Sequence, residues 1–341
     1  MDSLTYLTLI ITYQCSSRCE HCCIGAGPEH REWMLPEDAG RYISAVTKNN
    51  SINWMTLIGG EALLDLERTI KIGKLALGQG IPKVEIDTGA SWGSNEHTTR
   101  DVLQQIVAAG LSLGAISIDS FHQQHVKPEY VLRLLRTARD LGIELKGSSA
   151  VLQSGPPANP YDVETDRIRQ WFEDHGFRVE SSPVVLQGRA VNLARYHTGA
   201  RSIPLDRCAG VPFFATTDWS KPGGIAIDVF GSVMLEHGIC IGNARKRELS
   251  EILKEYHAGS HPIISVLMKE GPIGLTRLPQ AAGFMVREDG YVDKCHLCQD
   301  IRTYLRPFFP EILGPENYYP PIPDREASNN SWQVRPKGSP D

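Results

Sequence analysis

Alternating strand-like and helix-like patterns over residues 4–189 constrain the fold more than any other feature of this chain. Six short apolar runs, from residues 7–12 to residues 179–186, are separated by segments with helical periodicity. Strands joined through helices by short loops pair in parallel with right-handed crossovers. The pattern predicts an α/β fold, a partial (β/α)6 TIM-like barrel, with reactive residues on the loops after the C-terminal ends of the strands.

A different pattern begins near residue 200. Apolar runs at 225–230 and 233–236 flank Gly231-Ser232 and predict a β-hairpin with a two-residue turn. We therefore expect a barrel domain over residues 1–200 and a small α+β domain over residues 201–312. Residues 313–341 are rich in Pro, Asn and Ser, which predicts an irregular or disordered tail.

Composition narrows the classes of partner and compartment. The formal net charge is −5, which gives no reason to expect nucleic-acid binding or an anionic membrane surface. No apolar run approaches the roughly 20 residues needed to span a bilayer, and the first residues lack a signal-peptide pattern. Eight cysteines fall into two groups, as in metal sites rather than disulfide frameworks. We expect a reducing compartment, the cytoplasm.

The first cysteine group directly follows the first predicted strand. Cys15, Cys19 and Cys22 form a C-x3-C-x2-C run. Three thiolates can bind three irons of a [4Fe–4S] cluster and leave the fourth iron open to a small molecule. Zinc is the alternative, but it takes four ligands and usually pairs two separated C-x2-C units. Cys23 is interpreted as a buried or spare thiol.

This spacing, with His21 before the third cysteine, resembles the cluster motif of the radical S-adenosylmethionine (radical SAM) enzymes. The resemblance implies that Gly59-Gly60-Glu61, after the second strand, holds the amino group of S-adenosylmethionine. A plain βα turn with a surface glutamate is the alternative. His122 and His125 follow the fourth strand and are interpreted as polar loop residues, with substrate contact as the alternative.

The same resemblance implies further cofactor contacts on the barrel strands. Ser117 and Asp119 share a face at the end of the fourth strand and would bind ribose hydroxyls. Asp119 capping the next turn is the alternative. Lys146 and Ser148 on the fifth strand would meet the methionine carboxylate, unless Lys146 is solvated or ion-paired. Leu186 would pack near the adenine.

The segment 188–190, Gly-Arg-Ala, resembles one found in radical SAM proteins with a C-terminal auxiliary-cluster domain, called SPASM or, when shorter, Twitch. The second cysteine group agrees with this resemblance, because four thiolates can hold a second [4Fe–4S] cluster. Structural zinc is the alternative. The four cysteines are Cys208, Cys240, Cys295 and Cys298, and a last short helix is expected after them.

The chain departs from the Twitch pattern at one ligand position. Glu236 stands where the pattern has cysteine, and Cys240 follows four residues later. Either Cys240 ligates the second cluster, or Glu236 ligates it and Cys240 is free. Thiolate is the softer ligand and favours the first interpretation, whereas the register favours the second. A free Cys240 would be a candidate catalytic hydrogen-atom donor.

The resemblance implies two [4Fe–4S] clusters, S-adenosylmethionine and an external one-electron reductant such as flavodoxin or ferredoxin. A 5′-deoxyadenosyl radical would abstract hydrogen from an unactivated C–H of a ribosomal peptide or small natural product, giving oxidation or cross-linking. Epimerisation with Cys240 as donor is the alternative. A non-catalytic iron–sulfur electron carrier or zinc protein is the alternative of another class, and Glu61 speaks against it, because an electron carrier needs no open iron.

Overall fold

One mixed sheet organises this computed structural model, which describes residues 1, 3–153, 155–210 and 218–322. Its strand order is β6-β5-β4-β3-β2-β1-β7-β8-β9, and neighbours from β6 to β7 in that order pair in parallel. The strands are β1 (Tyr6–Thr12), β2 (Trp54–Gly59), β3 (Val84–Thr88), β4 (Ser112–Ser117), β5 (Gly147–Val151), β6 (Val179–Pro183), β7 (Gly224–Asp228), β8 (Ser232–Glu236) and β9 (Ile239–Asn243).

Helices connect the parallel strands, which confirms the predicted α/β class and its (β/α)6 order. Proline in the first turn begins several of them, since its fixed φ suits that position. The longer connecting helices bury residues along one face. The helices are α1 (Pro36–Thr47), α2 (Leu66–Gly78), α3 (Glu96–Ala108), α4 (Ser120–Gln123), α5 (Pro128–Asp140), α6 (Pro160–Asp174), α7 (Leu249–Glu255), α8 (Ile264–Glu270) and α9 (Lys294–Leu305).

Strand β1 lies inside the sheet, with β2 on one side and β7 on the other. Leu7 pairs with Met55 of β2 and with Ile225 of β7. Residues 7–12 are buried, as expected for a parallel strand covered on both faces. The predicted C-terminal unit therefore continues the sheet of the barrel. The proposed domain boundary at residue 200 remains a prediction.

The C-terminal unit differs in two details from the sequence-based expectation. The hairpin of β7 and β8 continues into a third strand, β9, which carries Cys240. Helix α9 begins before the C-x2-C unit rather than after it, because Asp293 caps it by accepting from the His296 backbone N–H at 2.7 Å. Cys295 and Cys298 thus share one face of α9, one turn apart.

The predicted tail divides into two parts. Residues 313–322 are irregular apart from one 3-10 turn at Glu316–Tyr318, yet Leu313, Tyr318 and Ile322 are buried. Of the two alternatives, irregular and disordered, this part is irregular, and its apolar side chains pack on the core. Residues 323–341 lie outside the described residues. Within the part of the chain that the structure describes, no helix is long and apolar enough to cross a membrane.

Candidate cluster and cofactor site

The loop after β1 opens onto a cavity of about 330 Å³. Cys15, Cys19 and Cys22 all line it. The cavity lies at the C-terminal ends of the parallel strands, where this architecture places reactive residues. Its wall also includes Gly60, Glu61, His21, Cys23, His122, Arg189 and His237.

Without a bound cation, burial disfavours the charged thiolate form of the three cysteines. It raises the pKa of Cys15 to about 11, and it also raises the pKa of Cys19 and of Cys22. A bound metal centre would balance the charge of three thiolates here. Among the described residues, the one group of three ligand atoms within 4.8 Å of one another is His21, Asp119 and His122. The three cysteine sulfurs therefore do not all lie within 4.8 Å of one another, a wider spread than the ligands of one zinc ion need.

Arg189 holds the cysteine loop in place. Its Nε donates to the Cys19 carbonyl at 3.1 Å, Nη2 donates to the Ala26 carbonyl at 2.5 Å, and its backbone N–H donates to the Cys22 carbonyl at 3.1 Å. Gly188 has φ +55°, and a Cβ there would lie 2.3 Å from the Cys23 carbonyl oxygen. The sequence singled out this tripeptide but gave Arg189 no role.

Gly60 joins the end of β2 to the same loop. Its N–H donates to the Thr12 carbonyl at 3.0 Å, and the Glu61 N–H donates to the Gln14 carbonyl at 2.9 Å. A Cβ on Gly60 would lie 2.2 Å from the Gln14 carbonyl oxygen. The lack of a side chain at Gly60 therefore lets the cysteine loop approach the end of β2. The sequence analysis had expected the ligand to approach there. Gly59 likewise packs against Thr12.

The Glu61 carboxylate lines the cavity, and hydrogen bonds from neighbouring protein groups hold it in place. It accepts hydrogen bonds from Thr88 Oγ1 at 2.8 and 2.9 Å, from the Gly89 N–H at 3.0 Å and from the Leu63 N–H at 3.1 Å. Burial raises the pKa of this carboxyl above its ordinary value. A cationic group in the cavity would favour its charged form, so the side chain fits an ammonium ligand.

Asp119 does not line the cavity and instead caps α4. Its oxygens accept from the Phe121 and His122 N–H groups at 3.0 Å, from the Ala150 N–H at 3.1 Å and from His122 Nδ1 at 2.9 Å. Burial acts to raise the pKa of Asp119, but His122 outweighs it and holds this pKa below its ordinary value. The capping alternative describes the observed arrangement, and a ribose hydroxyl would have to displace one of these bonds.

His122, which the sequence treated as a loop residue, reaches the cavity wall in place of Asp119. Asp119 raises the pKa of His122 against the opposing effect of burial. The His21 ring lies 4.6 Å from the His122 ring and 4.7 Å from the ring of Phe121, measured between centroids. Burial lowers the pKa of His21 to about 3, so this imidazole is neutral.

Two of the other predicted cofactor residues lie near the cavity without lining it. Ser117 and Ser148 are paired neighbours on β4 and β5, both half-buried. They share a sheet face with Ala150, which does line the cavity. Leu186 is buried beside Cys19 in a small apolar cluster, and its neighbour Val185 reaches the cavity instead.

The structure places Lys146 away from the cavity, which agrees with the alternative of a solvated side chain, and its contact with the cofactor stays a prediction. Strand β5 begins at Gly147, so Lys146 precedes it at the N-terminal end, opposite to the cysteine loop. Lys146 is exposed and lines a different surface cavity with Arg178 and Glu180. The apolar run at 143–150 predicted a strand that starts four residues before the observed one. With that start, Lys146 would lie inside the strand rather than before it.

The second cysteine group brings together four buried or half-buried side chains. Burial raises the pKa of Cys298 to about 11, and after the opposing effect of Arg302 the next contributions come from Cys208 and Glu236. Burial likewise raises the pKa of Cys295, and Asp293, Cys298, Glu236 and Cys208 add to the rise. These mutual interactions place three thiols and one carboxylate together.

Cys240 does not join this group. It is 3% exposed on β9, and its Sγ donates to the Gly314 carbonyl at 3.1 Å. Burial raises the pKa of its thiol, and Asp228 adds to the rise. Cys240 also does not line the cavity. The β9 strand, which the sequence did not predict, turns this side chain into the core, and its two predicted roles stay predictions.

Arg302 is a fully buried cation beside the second group, one turn after Cys298 on α9. Its Nη1 donates to the His237 carbonyl at 2.7 Å and to Tyr319 Oη at 3.3 Å, and its Nε donates to the Cys298 carbonyl at 3.3 Å. The guanidinium lowers the pKa of Cys298, although burial raises it more. The sequence gave one signal, a basic residue four positions after the second cysteine of the C-x2-C unit.

His237 links the two cysteine groups. It is 2% exposed, it lines the cavity, and its Nδ1 lies 2.7 Å from Glu236 Oε1. Its Nε2 lies 3.4 Å from Cys23 Sγ. Burial lowers the pKa of His237, but Cys23 and Glu236 together raise it to about 10. Sequence analysis assigned no role to this histidine and treated Cys23 as a spare thiol.

Comparison with known protein families identifies the N-terminal part of the chain. Residues 9–155 match the family model of the Radical SAM superfamily. This segment holds the cysteine loop and Glu61, so the match confirms the radical SAM resemblance. The family implies a [4Fe–4S] cluster and S-adenosylmethionine, and the three cavity thiols fit the first of these.

Individual relatives match more remotely. YydG of Bacillus subtilis (strain 168), provisionally described as a peptide biosynthesis protein, is 24% identical over 138 residues, which are 39% of this chain and 42% of YydG. The chain thus spans about two fifths of that relative. Streptococcus suis SuiB bound to S-adenosylmethionine has a TM-score of 0.40 at 12% identity, over 74% of this chain and 66% of SuiB. BtrN in complex with AdoMet and 2-DOIA has a TM-score of 0.35 at 13% identity, over 74% and 83%.

Proposed function

We propose that this chain, whose residues 9–155 form a radical SAM domain, is an enzyme that modifies a peptide by abstracting hydrogen from an unactivated C–H bond. One observation carries the proposal. Cys15, Cys19 and Cys22 face a single cavity together with the buried carboxylate of Glu61. Three ligands for a four-iron cluster leave an open iron, and an anchored carboxylate beside it suits the amino group of a cofactor.

The bound cluster and S-adenosylmethionine supply the chemistry, namely one-electron cleavage that yields a 5′-deoxyadenosyl radical. The protein's own residues position these groups. Arg189 and Gly60 fix the backbone of the cysteine loop. Glu61, held by Thr88 and Gly89, binds the amino group of the cofactor. His122 and the neutral His21 form the wall near Cys19.

We assign a second cluster to Cys208, Cys295 and Cys298, with Glu236 as the candidate fourth ligand. The fit rests on the mutual electrostatic interactions of these four side chains and on the compensating charge of Arg302. Thiolates are the ordinary ligands of iron–sulfur clusters, and a carboxylate in the fourth position is less usual. This centre would exchange electrons with the first cluster, with an external one-electron reductant such as flavodoxin or ferredoxin as the source.

A peptide is favoured over a small molecule by the edge of the sheet. Strand β6 is an edge strand, and residues 180–183 are exposed. Ser182 and Pro183 at its end line the cavity. An extended peptide could pair with this edge and lead one residue into the cavity. The description of YydG as a peptide biosynthesis protein agrees with this substrate class.

The decisive experiment measures cleavage of S-adenosylmethionine. Protein reconstituted anaerobically with iron and sulfide is reduced with dithionite, and 5′-deoxyadenosine is quantified by mass spectrometry. We expect its formation by the parent protein and none by the variant with Cys15, Cys19 and Cys22 changed to Ala. The matched control changes Cys208, Cys295 and Cys298 to Ala, which should lower iron from about eight to about four per chain and retain the first cluster.

Two outcomes would contradict the proposal. Absence of 5′-deoxyadenosine from the parent protein with a full first cluster would favour the electron carrier as the alternative class. Undiminished 5′-deoxyadenosine from the triple variant at Cys15, Cys19 and Cys22 would remove the cavity from the mechanism. Stoichiometric zinc with only about four irons per chain would refute the second cluster while leaving the first in place.

A further inference from the structure

The cavity contains a thiol that the proposed cluster does not use. Cys23 lines the same cavity as Cys15, Cys19 and Cys22, and its side chain is half-buried. Next to Cys22 in sequence, it cannot readily bind the same cluster as its neighbour. A chain of three side chains, Cys23, His237 and Glu236, runs from the cavity into the core.

This chain orients the thiol. Glu236 Oε1 lies 2.7 Å from His237 Nδ1 and also accepts the His237 backbone N–H at 2.9 Å, which fixes the imidazole from two directions. The opposite ring nitrogen, Nε2, then lies 3.4 Å from Cys23 Sγ. An imidazole whose Nδ1 donates to a carboxylate presents Nε2 as the partner of the sulfur. The sulfur is thereby held at the cavity wall.

We propose that Cys23 is the hydrogen-atom donor of this enzyme, with His237 as its positioning residue. The proposal rests on the proposed radical function and deepens it, because a donor thiol directs the reaction toward epimerisation. Cys240, the thiol that the sequence suggested for this role, is buried on β9 and absent from the cavity wall.

The step is balanced in atoms and electrons. The S–H bond of Cys23 breaks homolytically, and its hydrogen atom forms a C–H bond at a carbon radical in the cavity. Since an S–H bond is weaker than an ordinary C–H bond, the transfer is downhill. The thiyl radical left on Sγ takes one electron from the external one-electron reductant and one proton from water, which restores the thiol.

The test needs only S-adenosylmethionine as probe. Without a substrate, the carbon radical in the cavity is the 5′-deoxyadenosyl radical itself. Thiol hydrogens exchange with solvent, so in D2O with dithionite we expect the parent protein to form 5′-deoxyadenosine carrying one deuterium. The deuterated fraction, measured by mass spectrometry, should fall to natural background in Cys23→Ala and Cys23→Ser and should stay at the parent value in Cys240→Ala.

Further variants test the positioning residue. His237→Ala should lower the deuterated fraction, and His237→Gln should restore most of it, since the glutamine amide can occupy the position of Nε2. Iron content of every variant is measured to exclude loss of the first cluster. The deuterium is expressed as a fraction of the 5′-deoxyadenosine formed, so a change in total turnover does not alter the measured value.

A second measurement is independent of turnover. Cluster-free native protein is treated with N-ethylmaleimide, and modified cysteines are located by peptide mass spectrometry. We expect modification of Cys23 and protection of Cys240. An unchanged deuterated fraction in Cys23→Ala, its loss in Cys240→Ala, or protection of Cys23 would each overturn the assignment. Failure of the proposed function is distinguishable, because the parent protein would then form no 5′-deoxyadenosine at all.

Discussion

The two cysteine groups of this protein differ in their surroundings more than in their ligands. The first lies on a loop beside an open cavity, and a half-buried arginine, Arg189, holds that loop by its carbonyl groups. The second lies largely on helix α9, where the fully buried Arg302 supplies a positive charge. An open surrounding suits the binding of a small molecule, whereas a closed one suits electron storage and stability of the fold. The following predictions test this contrast.

The largest expected effect is the difference in stability between substitutions of Arg302 and Arg189. Arg302→Met removes a fully buried cation that donates to the His237 and Cys298 carbonyl groups and interacts with Glu236, so we expect the free energy of unfolding to fall by about 3–5 kcal/mol. Arg189→Met removes two hydrogen bonds near the surface and should cost about 1–3 kcal/mol. Urea unfolding of the cluster-free proteins measures both. Equal losses would show that the first group is as closed as the second.

Asp228, the last residue of β7, connects the segment after β1 with strand β8. Its carboxylate accepts from Tyr13 Oη at 3.0 Å and from the Ser232 N–H at 2.7 Å. Burial raises its pKa from 3.8 to about 6. A carboxyl with a raised folded-state pKa contributes stability that is present below pH about 4 and is lost as the pH rises through about 6. Its loss corresponds to about 3 kcal/mol.

Asp228→Asn should therefore gain stability relative to the parent protein as the pH rises. We expect the difference in unfolding free energy to grow by about 3 kcal/mol between pH 4 and pH 7. The matched control is Asn95→Ala, a helix cap that carries no ionisable group, so its difference should stay nearly constant. A pH-independent difference for Asp228→Asn would mean that water reaches the Asp228 carboxylate.

Glu61→Gln tests the open character of the first region. It removes a charge-assisted hydrogen bond to the cofactor amino group, worth about 1.5–3 kcal/mol, or roughly 10- to 150-fold in affinity for S-adenosylmethionine. Equilibrium binding to the reconstituted protein measures the change, and iron content should stay constant. Glu85→Gln, on β3 away from the cavity, serves as the control. Unchanged affinity would assign Glu61 to the structure of the βα turn.

The smallest effect on affinity for S-adenosylmethionine is expected at Asp119. Asp119→Ala should lower the free energy of unfolding by about 1–3 kcal/mol, because it removes the cap of α4 and leaves the Ala150 N–H and His122 without their acceptor. Affinity for S-adenosylmethionine should change little, because both carboxylate oxygens are already engaged and the side chain does not line the cavity. Asp65→Ala, which removes the cap of α2, is the matched control. A tenfold loss of affinity at Asp119 alone would restore the ribose contact.

Sequence patterns predicted the order and direction of the parallel strands because hydrophobic periodicity reports burial directly. They also located the first cysteine group and Glu61, whose motifs are local. Strand boundaries were less well determined, and a shift of a few residues put Lys146 inside β5 rather than before it. Strand β9 was missed because it is short and follows β8 after only two residues, so the sequence analysis placed Cys240 in a loop.

The residues that hold the site together were not predictable in the same way. Arg189 contacts Cys19 across 170 positions of sequence, and His237 contacts Cys23 across 214. Such contacts arise from the tertiary arrangement of the sheet, which a periodicity argument does not contain. A single sequence therefore indicates which residues can do chemistry more readily than which residues position them.

The position of β1 has a consequence for how the protein is made. This apolar strand leaves the ribosome well before its second neighbour, β7, which begins only at Gly224. At a synthesis rate of about 5–20 residues per second, roughly 10–40 s separate the two. During that interval the nascent chain carries a hydrophobic strand with one unpaired edge, which is prone to association with other chains. Chaperone attachment to translating ribosomes should therefore be strongest before residue 224 is made and should decline once β7 has emerged.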